Sequence, residues 1–318
     1  MTSSAFDQPM PNSVSPPPLK RLPARICWAI TQQFLKPPLN KFNLRNRALG
    51  GRFESHENYV ADRVSNVEVY RQLFSEFTSF QNKTVLELGC SSGYLINAFK
   101  ETETFSAIGA DIDSSAIARA RKQHGNVADW VLTTPTTIPI SSNSVDVIYT
   151  VDTVEHLSRP SEIFLDAYRV LRPGGVFLIH FCPWFSPNGS HLEDIIPFPW
   201  AHVVFSMDTL LDVAANLYES KEYSPACYWY DQETGYRRPN PYLDKQYWRE
   251  FLNDLSVRKF KRHIRRLPFE TVELRKLGFG GKAYRAGKYV SWLAQFPLLD
   301  EMFIKAVFCV LRKPALAN

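Results

Sequence analysis

The 318-residue chain lacks several features that would assign it to a class of protein at once. It has no apolar run near the roughly 18 residues that a membrane-spanning helix needs, so we expect no such span. Its first 20 residues are polar and proline-rich, which argues against a secretory signal. Its five cysteines are scattered without a CxxC pair, which disfavours structural zinc and iron–sulfur clusters. We therefore expect no metal and reduced thiols in a cytoplasmic protein.

The charge is divided unevenly along the chain. Residues 1–60 carry a net charge of +5 and residues 257–288 a net charge of +9. Because the whole chain carries +5, the remaining residues carry −9. Two basic ends around an acidic middle favour an anionic partner near the ends. An ordinary solvated surface is the alternative, and composition leaves both open.

Hydrophobic spacing predicts a lead-in followed by alternating strands and helices. Residues 1–50 are predicted to be disordered or loosely attached, with a helix over 21–35 that packs on the core or lies on a membrane surface. A second amphipathic helix is expected over 57–80. The alternation that follows indicates βαβ units and a parallel sheet. We predict strands at 84–88, 106–112, 129–133, 145–151 and 176–181, and helices at 94–100, 114–123 and 161–171.

The alternation stops after residue 181. Residues 184–243 are rich in proline and aromatic side chains, and a helix is expected over 206–218. A further helix is predicted over 243–255, a sixth strand over 257–264 and a late strand over 303–311.

The first strand leads into a glycine-containing turn with the sequence VLELGCSSGY over residues 85–94. Gly89 and Gly93 allow a sharp turn and a close backbone approach to a ligand. The second strand reaches Asp111 about 20 residues later, where a carboxylate accepts both hydroxyls of a ribose. The pattern is GxxxG and not GxGxxG, so a pyrophosphate cofactor fits less well. A tight turn and a helix cap are the alternatives for the glycines and for Asp111.

Four segments together resemble the class I S-adenosylmethionine-dependent methyltransferases. Within that class the resemblance is to methyltransferase type 11, which includes enzymes similar to ubiquinone-biosynthesis methyltransferases. They are VLELGCSSGYL (85–95), IGADID (108–113), SVDVIYTVDTVEHL (144–157) and LRPGGVFL (171–178). The resemblance implies a Rossmann-like α/β fold, with a seven-stranded, mostly parallel sheet, helices on both faces and an aromatic-rich insertion after the fifth strand. The methyltransferase domain would span 51–318, with a cofactor core over 65–183, a substrate or lid insertion over 184–243 and completion of the sheet over 244–318.

The resemblance also implies roles for individual residues toward S-adenosyl-L-methionine. Glu87 and Gly89 would hold the methionine end, partly through the backbone. Gly93 would let the following helix start close to the cofactor. Asp111 would bind the ribose hydroxyls, and Ile112 would pack on the adenine.

Four further positions complete the implied cofactor site. Val151 and Asp152 would line the methionine and the reacting methyl group. Thr134 stands where the family often has an acid that contacts the adenine amino group, so a backbone contact would replace that hydrogen bond. Cys90 lies in the glycine turn, and we interpret it as a small filler and not as a nucleophile.

An oxygen acceptor of high pKa needs a general base, and three histidines are candidates. We rank His156 first, His191 second and His202 third. Helix packing and capping are the alternative for His156. His191 has Glu193 and Asp194 nearby, but without a second ligand cluster we predict no metal site there.

The acceptor is the least determined part of the prediction. Aromatic side chains in the insertion suit a sugar face, an aromatic ring or a lipid chain, so we expect O-methylation of a small molecule, a glycan or a lipid-linked acceptor. Nucleic acid is not expected, because no recognised module accompanies the basic residues. Peripheral contact with an anionic membrane stays open. Competing hypotheses are a non-catalytic scaffold, an aminopropyl transferase and a nucleotide-sugar oxidoreductase.

Overall fold

The chain forms one β-sheet flanked by helices in a computed structural model that describes residues 15–44, 51–220, 223–231, 234–278, 292–293, 296 and 299–315. The strands are β1 (Thr84–Leu88), β2 (Ser106–Asp111), β3 (Asp129–Leu132), β4 (Val145–Val151), β5 (Leu171–Phe181), β6 (Glu270–Leu277) and β7 (Ala306–Arg312). The α-helices among the described residues are α1 (Leu22–Phe34), α2 (His56–Ser65), α3 (Val67–Ser75), α4 (Tyr94–Lys100), α5 (Ser114–His124), α6 (Pro160–Val170), α7 (Ala201–Val204), α8 (Met207–Tyr218), α9 (Lys245–Phe251) and α10 (Val257–Ile264). In the described part of the chain, no helix is both long and apolar enough to span a bilayer.

The sheet has the strand order β3-β2-β1-β4-β5-β7-β6. Neighbouring strands from β1 to β5 run parallel, and β7 runs antiparallel to both β5 and β6. This arrangement confirms the predicted seven-stranded, mostly parallel α/β sheet. The predicted bounds of the strands at 84–88 and 145–151 agree with β1 and β4.

Both faces of the sheet are buried, as expected for parallel strands covered by helices. Val85 and Tyr149 belong to one core cluster, which includes side chains of α3, α4 and α5. Leu86 and Ile148, one residue further along the same strands, belong to a second cluster with side chains of α6 and α10. Because successive side chains of a strand face opposite sides, this division follows from the period of two.

The prediction of a sixth strand over 257–264 was wrong, because these residues form α10. Val257, Phe260 and Ile264 recur at three- and four-residue steps and are buried, which is a helical period. The hydroxyl of Ser256 accepts a hydrogen bond from the amide of Lys259 at 3.1 Å and caps the helix. The sixth strand is β6, a half-buried edge strand whose charged side chains weakened its signal.

Two predicted helices have different bounds in the structure. The expected helix over 57–80 is divided into α2 and α3, which meet at Asn66, and α3 ends at Ser75. The expected helix over 243–255 is limited to α9, which spans seven residues.

The described residues up to 62 and those from 187 to 251 form one compact unit, and the remaining described residues form a second. In the first unit α1 packs with α8, and Ala24 and Cys27 are buried in their shared core. The helix expected over 21–35 is therefore present as α1, and it packs on a core, which is one of the alternatives given for it. Residues 1–14 and 45–50 lie outside the described residues.

Aromatic side chains of the insertion also contribute to the core of the first unit. Tyr218 and Tyr242 are buried there, and the ring of Tyr242 stacks on Trp248 of α9 with centroids 5.4 Å apart. Part of the aromatic content that predicted an acceptor pocket or a lid is thus used for packing.

Candidate functional site

The second unit holds a group of polar side chains at the carboxyl edge of its sheet. Glu87 lies on β1, Asp111 ends β2, Asp152 follows β4, and His180 lies near the end of β5. In the strand order β1 lies between β2 and β4, and β5 follows β4. Ligands of open parallel sheets bind outside the carboxyl ends of the strands. This edge is therefore the candidate functional site.

The turn after β1 depends on two glycines in the left-handed region, each with φ of +80°. A Cβ added to Gly89 would lie 2.8 Å from Cβ of Thr153 and closer still to its Oγ1 and Cγ2. A Cβ on Gly93 would lie 2.7 Å from Cζ3 of Trp130 and closer to Cη2. Real Cβ atoms do not approach other atoms this closely, so both positions require glycine. The turn is predicted correctly, but the group packed against Gly93 is the Trp130 indole.

The Asp111 carboxylate is fixed by backbone groups on both sides. Its Oδ2 accepts a hydrogen bond from the amide of Ser91 at 2.7 Å, and its Oδ1 accepts one from the amide of Asp113 at 2.9 Å. The carboxylate therefore ties the glycine turn to the end of β2. Asp113, and not Asp111, caps α5 by accepting from the amide of Ser115.

Asp152 is held in an unusual backbone conformation by three contacts. Its φ is +51°, a region that non-glycine residues rarely adopt. The amide of Asp152 donates to the carbonyl of His180 at 2.9 Å. Its Oδ1 lies 3.1 Å from Nδ1 of His180, and its Oδ2 accepts from Nη1 of Arg63 at 2.9 Å. Burial raises the pKa of this carboxyl, but hydrogen bonding and attraction from His180 and Arg63 outweigh burial and lower the pKa strongly.

Glu87 is buried in the sheet, with 3% of its surface exposed. The Tyr149 hydroxyl donates to its Oε2 at 3.0 Å. Burial is the main cause that raises the pKa of Glu87 to about 8, although Tyr149 and Arg63 act in the opposite direction. The pKa of Glu155 is also raised, first by burial and then by the charge of Asp152. Two buried carboxyls at this edge thus hold protons more tightly than usual.

The remaining predicted cofactor residues lie in the same unit. Ile112 is 58% exposed, directly after β2, whereas Val151 is buried at the end of β4. Thr134 is exposed, and its amide donates to the carbonyl of Thr137 at 3.0 Å. Cys90 is buried, and burial raises the pKa of its thiol well above the ordinary value. Its role as a filler stays a prediction.

The three candidate bases are divided between the two units. His156 ends a short 3-10 helix over Val154–His156, and its amide donates to the carbonyl of Thr153. Asn253 holds this helix, since its side-chain amide donates to the carbonyls of Val154 at 2.8 Å and Leu157 at 2.9 Å.

His191 and His202 belong to the first unit. His191 has φ of +54°, and its ring packs against Phe251 with centroids 6.3 Å apart. His202 lies on α7 and is only 8% exposed. As candidate bases both stay predictions.

Sequence reasoning missed the partners of the predicted carboxylates. Arg63 lies 89 positions before Asp152 on an apparently ordinary amphipathic helix. His180, which the sequence favours as a core residue over a base, contacts both Asp152 and the ring of Tyr70, with ring centroids 5.1 Å apart. The available signal was His180 and Tyr149 in strands whose other buried positions are apolar apart from Thr150.

Comparison with known proteins finds methyltransferases that resemble the middle of this chain. Residues 86–179 match the family described as the methyltransferase domain. An uncharacterised methyltransferase of Mycolicibacterium gilvum is 30% identical over 115 residues, which is 36% of this chain and 45% of that protein. A probable S-adenosylmethionine-dependent methyltransferase of Mycolicibacterium smegmatis is 34% identical over 104 residues, 30% of this chain and 37% of that protein.

A solved structure, a putative sarcosine dimethylglycine methyltransferase from Galdieria sulphuraria, gives a TM-score of 0.49 at 14% identity, covering 79% of this chain and 86% of that one. The chain spans less than half the length of the two Mycolicibacterium relatives. The family match is limited to residues 86–179, and the relatives that share this part of the chain include a probable S-adenosylmethionine-dependent methyltransferase. The matched residues run from β1 to β5 and include the glycine turn at the carboxyl edge.

Proposed function

We propose that the chain transfers a methyl group from S-adenosyl-L-methionine to an oxygen of a small molecule, a glycan or a lipid-linked acceptor. The observation that carries the proposal is the Asp111 carboxylate, fixed beside the Gly89–Gly93 turn at the carboxyl end of β2. A scaffold without a nucleotide ligand needs no carboxylate with spare acceptor positions at this edge of the sheet.

The residues present fit the adenosine part of the cofactor. Each Asp111 oxygen accepts one backbone hydrogen bond, and an ionised carboxylate has about four acceptor positions. Capacity remains for the two ribose hydroxyls. Ile112 supports an adenine ring, because its side chain is 58% exposed immediately after β2. Thr134 lies two residues after β3, and we assign its backbone to a contact with the adenine amino group.

The charges at the edge fit the methionine part. Asp152 supplies an ionised carboxylate, which favours the ammonium and sulfonium charges of the cofactor. Glu87 and Glu155, whose pKa burial raises, supply hydrogen-bonding carboxyl groups at the same edge. Arg63 supplies a cation at the same edge, and we assign it to the cofactor carboxylate. When bound, the cofactor supplies a methyl group already activated on a sulfonium. The protein's own part is then to align the acceptor and exclude water, which is worth several kcal/mol.

His156 is our first assignment as general base. It directly follows Glu155 on the short helix after β4, and Asn253 fixes that helix through two carbonyl contacts. A positioned base contributes about 10²–10⁴-fold to proton removal from an alcohol. His202 is buried, which makes it the weakest of the three candidates.

A methyl-transfer screen tests the proposal. The full chain is incubated with cofactor labelled in its methyl group and with three separate pools of water-soluble metabolites, glycans and lipid extract. We expect label in one pool and its loss when Asp111 is changed to Asn. Alkali stability of the labelled product separates an ether from an ester, and His156→Gln should then reduce turnover about 10²-fold or more with little change in cofactor affinity. Cofactor binding without transfer into any pool would favour the scaffold hypothesis, and full turnover by His156→Gln would remove His156 as the base.

A further inference from the structure

The α10 helix presents a dense basic face to solvent. Its buried side chains are Val257, Phe260 and Ile264. At about 100° per residue, the cations on and just after the helix fall on the opposite side, within an arc of roughly 160°. All are exposed, and they are Arg258, Lys259, Lys261, Arg262, Arg265 and Arg266. We call these six residues the α10 basic face.

The α10 basic face has no matching acidic residues in the described structure. None of its six side chains makes an ion pair with another described residue within 4.0 Å. The nearest acidic contact is Glu301, whose Oε1 accepts from the backbone amide of Arg258 at 3.3 Å. That carboxylate stabilises the positive N-terminus of the helix and leaves the side-chain charges free to meet an external anion.

Two exposed aromatic side chains accompany this face in the same unit. Trp292 is 55% exposed and Phe296 is 50% exposed, and their ring centroids lie 5.6 Å apart. Phe296 precedes Glu301 by five residues, so its Cα lies within about 18 Å of the Cα of Glu301, whose side chain contacts the start of α10. Exposed aromatic side chains and clustered cations in one unit are typical of proteins that meet the interface of a bilayer.

We propose that the α10 basic face docks the protein on an anionic phospholipid surface. The six cations extend over about 12 Å of helix, and each Lys or Arg near an anionic membrane strengthens binding about fivefold. The Trp292 and Phe296 rings supply the apolar contact that α10 lacks, because the apolar side of α10 is buried in the core. A membrane-bound enzyme of this kind has direct access to acceptors that partition into lipid.

Nucleic acid is a weaker match for the same charges. Helices that bind nucleic acid commonly use their N-terminus, whereas Glu301 already occupies the first amides of α10. Both faces of the sheet are covered by helices, so the sheet does not form an aromatic platform for unstacked bases. A flat array of phospholipid headgroups requires only the exposed side of the helix.

Vesicle flotation with the full chain tests the proposal. One set of vesicles is phosphatidylcholine alone, and the other contains about 25 mol% phosphatidylglycerol, each at roughly 50 mM and 200 mM salt. We expect binding only to the anionic vesicles, and weaker binding at the higher salt. The variant K259Q/K261Q/R262Q should bind roughly a hundredfold more weakly, from three fivefold losses. The matched control K122Q/R159Q/R172Q removes the same charge from exposed positions elsewhere in the second unit and should retain binding.

The aromatic contribution is tested separately with W292A/F296A. This variant should bind anionic vesicles severalfold more weakly while the salt dependence stays that of the wild type, because no charge is removed. Absence of binding to anionic vesicles at low salt would overturn the proposal, and so would equal losses in the α10 variant and its control. If the chain binds a DNA or RNA duplex more tightly than the vesicles, and the α10 variant loses that binding, the α10 basic face binds nucleic acid and the membrane proposal is overturned. Methyl transfer to a soluble acceptor is unaffected by these outcomes, so the two proposals fail independently.

Discussion

Replacing Gly89 with alanine tests the geometry of the glycine turn. The new Cβ would lie 2.8 Å from Cβ of Thr153 and closer to its two branch atoms, which follow the end of β4. The Thr153 side chain is held in place by the backbone, since its hydroxyl donates to the carbonyl of Val151 at 3.1 Å. The turn would therefore have to move away from β4, and the carboxylate of Asp111 would move with it.

Two costs add in this substitution. An alanine in the left-handed region costs about 1–2 kcal/mol, and forced overpacking costs about 1–3 kcal/mol, so Gly89→Ala should lower the free energy of unfolding by about 2–5 kcal/mol. Gly174 supplies the matched control, because its φ is +81° and a Cβ there meets nothing within 4 Å. Gly174→Ala should cost only the backbone part, about 1–2 kcal/mol.

Urea unfolding followed by intrinsic fluorescence measures both variants under one set of conditions. The double variant Gly89→Ala/Thr153→Ala should recover part of the loss, because the two closest atoms are removed while Cβ of residue 153 remains. A coupling of about 1 kcal/mol or more between the two sites is expected for side chains in direct conflict. If Gly89→Ala costs no more than Gly174→Ala, or if the double cycle shows no coupling, the close approach of the turn to Thr153 is refuted.

Two further predictions concern the buried charges at the carboxyl edge. The pKa of Glu87 is about 8 in the folded chain and 4.5 in the unfolded chain. The stability that this difference contributes is fully present below pH 4.5 and is lost as the pH rises to about 8. Glu87→Gln should therefore reduce the fall in melting temperature between pH 5 and pH 8, and at pH 8 it should raise the free energy of unfolding by about 4 kcal/mol relative to the wild type. If the melting temperature of the variant falls with pH as steeply as that of the wild type, the burial argument is contradicted. Arg63→Gln removes a charged hydrogen bond to Asp152 and should lower the free energy of unfolding by about 1.5–3 kcal/mol at pH 7. This difference from the wild type should become smaller at low pH, because Asp152 is then protonated in the variant and in the unfolded chain. Arg159→Gln, at an exposed pair, is its control and should cost under 1 kcal/mol by chemical denaturation; equal costs would show that the Arg63 contact contributes little.

The sequence was sufficient for the elements whose signals are local. β1 and β4 have the predicted bounds, because short apolar runs between turn residues define buried strands. α10 was assigned to a strand because its basic residues obscured three apolar positions with helical spacing. β6 escaped prediction since an edge strand with charged side chains has little hydrophobic contrast.

In the candidate site, too, the residues with a local sequence signal could be predicted and the others could not. Gly89 and Asp111 could be found from the turn and from the strand end that follows it. The contacts of Asp152 could not, because Arg63 and His180 approach it from positions 89 and 28 residues away in the chain. Pairings of this kind are set by the strand order and by where a preceding helix packs, which no local pattern contains.

Calorimetric titration of the full chain with S-adenosyl-L-methionine tests the cofactor assignment most directly. We expect one binding event, weakened about tenfold to a hundredfold or more by Asp111→Asn, since hydrogen bonds to a charged partner contribute about 1.5–3 kcal/mol each. Asp113→Asn is the matched control two residues away, because asparagine caps a helix about as well as aspartate, and it should leave the affinity within about threefold. Absence of binding, or equal affinities for the wild type and Asp111→Asn, would contradict a cofactor site at the carboxyl edge of this sheet.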